Sequence, residues 1–180
     1  MPAHRRPGMN CNIFRLARCA AALAAAGALA ACSNLAQVPP GTPLADVAAQ
    51  YGRPNFSCDM AGGGQRVIWT QQPYGQYAWG ANVAADGRVD RVLPILTDAH
   101  FKLLAKGAWT ADQVRCEFGP PAQVDEVGLP SVREVVWAYR YKQSGVWNSL
   151  MYVYMGRDGQ RVTRFHPGPD PMYDDDWRWR

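Results

Sequence analysis

Only three histidines occur in the chain, and no Cys-x-x-Cys pair. His100 and His166 are far apart in sequence with no ligand spacing around either, so no zinc site is readable. A Gly-x-Ser-x-Gly nucleophile motif is absent. Gly62-Gly63-Gly64 runs into Gln65-Arg66 and a strand pattern, not into Lys-Ser/Thr and a helix. It reads as a flexible loop and not as a phosphate cradle. Cys116 with His100 or His166 would make a nucleophile and base. But Cys116 falls in a short helical pattern whose counterpart earlier in the chain carries Ala49 at that place, as suits a structural thiol. With no catalytic set, the expectation is a protein that is not an enzyme and uses no metal or cofactor.

Long apolar runs are scarce too. Residues 19–32 are apolar but short and Ala-rich, whereas a bilayer span takes about 20 well-buried residues. Arg5, Arg6, Arg15 and Arg18 precede that run, and no acidic residue lies before Cys32. A basic segment, a short apolar core and small residues at its end are the pattern of a secretory signal. A start at Met1 or at Met9 leaves that pattern working. Leu29-Ala30-Ala31-Cys32 resembles the bacterial lipobox. The resemblance implies cleavage before Cys32 and acyl chains, palmitate among them, on that residue. Each buried CH₂ contributes about 0.8 kcal/mol, so two or more chains anchor stably. Loss of the four arginines takes Lys+Arg from 19 to 15, equal to the 15 Asp and Glu, and the net charge from +4 to zero. The basic character belongs to the signal, and no nucleic-acid partner is expected.

Of five cysteines, Cys11 and Cys19 leave with the signal and Cys32 is acylated. Cys58 and Cys116 remain as the candidate disulfide. In an oxidising compartment two thiols either pair or stay apart and buried. Sequence spacing does not supply the Cα separation that decides, so both alternatives stand.

The mature segment contains a duplication. The stretch 42–54 matches 109–121 at an offset that aligns Val47 with Val114, Tyr51 with Phe118, Gly52 with Gly119 and Pro54 with Pro121. Arg66-Val67-Ile68-Trp69 then matches Glu134-Val135-Val136-Trp137, and Asp86-Gly87 matches Asp158-Gly159. Matches kept in order indicate repeated structural units. Thr42 is placed to cap the first helix with Pro43 at its first position. Leu44, Val47, Ala48 and Tyr51 form its apolar face, and Gly52 and Pro54 end it. In the second unit Thr110 and Gln113 form a capping-box pattern, with Ala111, Val114 and Phe118 apolar. A further helix is expected over 98–106, with Phe101 and Leu104 as its apolar residues.

Strands follow each helix. Residues 134–141 place Val135, Trp137, Tyr139 and Tyr141 on one face, and 150–155 place Tyr152 and Tyr154 together. Asp158-Gly159 is a hairpin turn, with the return strand at 161–165. The first unit reads 66–71, 77–84, the Asp86-Gly87 turn and 89–93. The expected fold class is therefore α+β. It comprises two tandem repeats, each of one or two short helices packed on a three-stranded antiparallel β-meander.

The helix, Phe118-Gly119-Pro120-Pro121 and then Val136-Trp137-Ala138-Tyr139 resemble the SmpA/OmlA domain, the BamE-like domain of the outer-membrane β-barrel assembly machine. The resemblance is best over 97–167 and weaker over 42–96. The tandem arrangement is also similar to that of β-lactamase inhibitor proteins. These resemblances divide the chain into a signal peptide at 1–31 and a tether at 32–41. Repeats follow at 42–96 and 97–167, then a flexible acidic and aromatic tail at 168–180. Within that tail Asp174-Asp175-Asp176 is a solvated acidic run, and Trp177-Arg178-Trp179-Arg180 is the terminus.

The function expected is non-enzymatic protein binding or scaffolding in envelope or outer-membrane protein assembly. The alternative is a periplasmic inhibitor or adaptor gripping a soluble enzyme through its sheet face. Trp69, Trp137, Tyr139, Tyr141, Tyr152 and Tyr154 are the candidate structural or interface aromatics. The repeated place of Trp69 and Trp137 favours burial against each unit's own helix, Trp69 near Val47 and Tyr51 and Trp137 near Val114 and Phe118, over an exposed partner-binding role. The partners are the membrane, through acyl chains on Cys32, and a protein of the cell envelope. Ser33 and Asn34 follow the acylated Cys where an inner-membrane retention signal would place Asp. By resemblance to lipoprotein sorting, this implies the periplasmic face of the outer membrane.

Overall fold

The computed structural model describes residues 34–173. The signal at 1–31, the acylation site Cys32, the acidic run 174–176 and the terminus 177–180 lie outside the described residues. The described residues form an α+β fold with three α-helices and two four-stranded antiparallel sheets. Helix α1 (Leu44–Tyr51) leads into β1 (Phe56–Asp59), β2 (Gln65–Thr70), β3 (Ala78–Val83) and β4 (Leu93–Pro94). Then come α2 (Asp98–Phe101), continued by a 3-10 turn at Lys102–Ala105, and α3 (Ala111–Phe118). The second sheet is β5 (Gln123–Val127), β6 (Glu134–Gln143), β7 (Trp147–Tyr154) and β8 (Arg164–Pro169). Strand order follows chain order in both sheets.

Four strands per sheet correct the expected three. The strands not foreseen are β1 and β5, which pair with β2 and β6 from the outer edge. All five residues of β5 are exposed, so no alternation of burial marks it in the sequence. The return strand expected at 89–93 shrinks to a bridge between Val83 and Val89 and a two-residue strand at Leu93. The last sheet also runs past the expected boundary at 167. Strand β8 continues to Pro169, and a 3-10 turn follows at Pro171–Tyr173.

Helix ends follow local chemistry. The Thr110 hydroxyl accepts from Gln113 N at 3.3 Å while Gln113 Oε1 accepts from Thr110 N at 2.8 Å. Thr42 departs from expectation: its hydroxyl donates to the Pro39 carbonyl at 2.7 Å and caps nothing. Gly52 and Gly119 end α1 and α3 with φ of 84° and 81°, where a side chain would be strained. At eight residues each, these helices are too short to persist without tertiary packing.

Two cores supply that packing. Val47 of α1 meets Val67, Trp69, Ala81, Val83 and Val89 on one face of the first sheet, with Leu44 and Tyr51 at the margin. Ile68 and Ala78 turn the other way, into the larger core. There they meet Phe101, Leu104, Val114 and Phe118, together with Trp137, Tyr139, Tyr141, Met151 and Val153 of the second sheet. Strand β2 is therefore buried on both faces, with Val67 and Trp69 facing one core and Ile68 the other.

Cys58 of β1 and Cys116 of α3 form a disulfide, with Cα atoms 5.7 Å apart. It ties the first sheet to the helix that packs on the second, across a sequence separation of 58 residues. Closing a loop of this length restricts the unfolded chain and stabilises by about 2–4 kcal/mol. Reduction with dithiothreitol is expected to lower the urea midpoint by a matching amount. Coincident oxidised and reduced unfolding curves would show that the bond adds nothing.

Candidate functional site

The second sheet buries only one of its faces in the core. On the other, strand registers align two rows of side chains. One row runs Asp125, Val136, Tyr154, Arg164; the next runs Gln123, Ala138, Tyr152, His166. Val136 and Ala138 form a buried floor, while Tyr152 and Tyr154 are half-buried above it. His166 packs against both tyrosine rings, at 5.6 and 5.5 Å between centroids, and its Nε2 lies 3.1 Å from the Tyr154 hydroxyl. The Arg164 guanidinium covers the Tyr154 ring at 3.4 Å and bonds Glu134 at 2.7 Å. Tyr152 lies so close over Gly168 that a Cβ there would meet the ring at 2.9 Å.

Charge on this face is held by these contacts. The hydrogen bond from Arg164 keeps the Glu134 carboxyl below its usual range, against the opposing effect of burial. Burial raises the Tyr152 hydroxyl, and the negative charges of Asp170 and Asp125 push it further up. Tyr152 therefore stays protonated at neutral pH. The result is a platform of two rigid aromatic rings, an imidazole and a cation. Such side chains offer large contact area at small entropic cost.

The other candidate aromatics are structural. Trp69 packs with Val47 and Tyr51, and Trp137 with Val114 and Phe118. Each is only 7% exposed. Trp69 Nε1 donates to Gly52 O at 2.8 Å and the Tyr139 hydroxyl to Gly119 O at 3.1 Å, so each sheet grips the carbonyl that ends its helix. Tyr141 donates to Asp98 Oδ1 at 2.9 Å. Burial raises the hydroxyls of both Tyr139 and Tyr141 far above the usual tyrosine range.

Two polar clusters were not legible in the sequence. Glu117 Oε1 lies 2.8 Å from Arg66 Nη2 and 2.6 Å from His100 Nε2. Arg140 Nε lies 2.9 Å from Asp170 Oδ2, and both side chains are buried. The Gln72 side-chain amide bonds Arg140 N and O at 3.1 and 2.8 Å, and Arg140 Nη1 donates to Pro73 O at 2.9 Å. These bonds join the β2–β3 connection of the first sheet to the second sheet. Their partners lie 67 and 68 residues apart in the chain, so no local spacing announces them.

The pairing of Cys116 with His100 or His166 as nucleophile and base does not form. Cys116 is in the disulfide and is not a free nucleophile, and His166 is stacked among tyrosines. Among the described residues no group of three or more His, Cys, Asp and Glu is placed to hold a metal ion. No family model, curated protein or solved structure matches this chain.

Proposed function

We propose that this chain is a non-enzymatic lipoprotein of the outer membrane, anchored by acyl chains on Cys32. In this reading it binds a protein partner in envelope or outer-membrane protein assembly. The supporting observation is the one-sided second sheet: Trp137, Tyr139 and Tyr141 are spent in the core, while Tyr152, Tyr154, His166 and Arg164 stand together on the opposite face. A tandem pair of SmpA/OmlA-like units is part of the proposal. In support, Trp69 and Trp137 each lie on the second strand of their sheet and pack on the helix before it. Hydrogen bonds to the helix-ending carbonyls of Gly52 and Gly119 recur alongside them.

Affinity capture from detergent-solubilised envelopes tests the partner, with the wild-type chain and a Tyr152→Ala/Tyr154→Ala variant as baits. Wild type is expected to recover barrel-assembly components. The variant should lose at least about tenfold in recovery, since interface anchors of this type are worth about 2 kcal/mol or more. Equal recovery by both baits would remove this face from the binding surface. Consistent absence of assembly components from the wild-type capture would sink the assembly role.

A further inference from the structure

The β2–β3 and β6–β7 hairpins turn at the same end of the molecule. Gln76 of one connection bonds Asn148 beside the other at 2.8 Å, and Tyr77 and Gly145 line one cavity of about 340 Å³. Both tips are apolar and exposed: Tyr74 75%, Tyr77 46%, Val146 65% and Trp147 69%. Their backbone is satisfied locally, with Gly145 N and Val146 N donating to Lys142 O and Gln143 O. Lys142 Nζ sits at the base of the second tip, 2.7 Å from Asn148 Oδ1. Aromatic rings with one polar end, backed by a cation one layer behind, suit the headgroup level of a bilayer.

The anchor selects this end. Leu35 and Trp79 both pack at the margin of the first core, and the 3-10 turn Leu35–Gln37 lies beside β4. Trp79 stacks on Tyr77 at 5.9 Å. Only Ser33 and Asn34 separate Leu35 from Cys32, a reach of about 10 Å for extended chain. The opposite end also exposes Leu129 and Val132. There, however, the hairpin is flanked by Asp125 and by the Glu126–Arg133 pair, whereas Leu35 lies beside β4. We infer that the two hairpin tips, carrying Tyr74 with Tyr77 and Val146 with Trp147, form a seat that rests in the headgroup layer of the membrane holding Cys32. The inference builds on the acylation of Cys32 proposed above.

The test can be made independent of acylation in the cell. With the signal removed and Cys58 bonded to Cys116, Cys32 is the one free thiol of the mature chain. It can be coupled to maleimide lipid in vesicles of phosphatidylethanolamine and phosphatidylglycerol, with plain or brominated acyl chains. Bromine on the chain carbons next to the headgroups quenches an indole seated at the boundary of the headgroup layer. Trp147 is one of seven tryptophans, so its quenching removes about a seventh of the emission if all contribute equally. Trp147→Phe, at an exposed position, should fold normally and abolish the bromine-dependent loss. Equal emission from plain and brominated vesicles would overturn the seat, as would quenching undiminished in Trp147→Phe. A concentration-dependent dimer of the uncoupled chain, abolished by Val146→Asp, would give the patch to a second copy instead. The mass of the protein extracted from envelopes decides acylation separately. An unmodified Cys32 would end the anchor proposal and leave the vesicle result standing.

Discussion

Trp137→Ala is expected to destabilise the fold by about 3–5 kcal/mol, the range for deleting a large aromatic from a packed core. The indole is 7% exposed and belongs to the cluster that holds Val114, Phe118 and Tyr139. Arg115 of α3 covers its ring at 5.3 Å. Its removal therefore opens a hole under the helix and strips the guanidinium of its aromatic partner. Trp69→Ala should cost a similar amount, because it also leaves Gly52 O without the donor it has at 2.8 Å. Losses of this size approach the whole stability of a small domain. Thermal and urea melts check both variants. Unchanged midpoints would mean that neither indole supports its helix.

Asp170→Ala should produce a second loss of about 3–5 kcal/mol, by a different mechanism. The Asp170 carboxylate has no exposed surface, and Arg140 beside it is 6% exposed. Truncation leaves a buried guanidinium without its counter-ion, and the desolvation it has already undergone is no longer offset. Asp170 Oδ1 also accepts from Met172 N at 3.0 Å, so the turn after β8 should loosen as well. Replacing the pair together, as Asp170→Leu with Arg140→Met, should recover much of the loss, since an apolar pair of similar volume leaves no charge stranded. Urea denaturation of the two single variants and the double variant forms the cycle. A loss below about 1 kcal/mol for Asp170→Ala, measured against the usual range for broken buried pairs, would show that water reaches the site.

Much of this protein was legible without coordinates because it rests on local rules. The capping box at Thr110 and Gln113, the glycine stops at Gly52 and Gly119, and the period-two pattern of β6 and β7 each depend on a few neighbouring residues. The match between Val67-Ile68-Trp69 and Val135-Val136-Trp137 pointed to two buried indoles, and both are buried. Edge strands escaped because Phe56–Asp59 and Gln123–Val127 are partly or wholly exposed and carry no burial pattern. Thr42 escaped because a hydroxyl at a helix start can equally bond the turn behind it.

The sequence by itself determined the α+β class, the capping box at Thr110 and the glycine stops at Gly52 and Gly119, the faces of the long strands and the pairing of each Trp with its own helix. Only the tertiary structure decided that Cys58 reaches Cys116, that a second core lies on the face where Ile68 points, and that Arg140 meets Asp170 beneath the Gln72 amide. It also separated Tyr152 and Tyr154, on the open face, from Tyr139 and Tyr141, in the core. The physical reason is range. Capping and alternation are set by bonds within a few residues, whereas a disulfide, a buried ion pair or a face left uncovered depends on which distant layer arrives to fill the space.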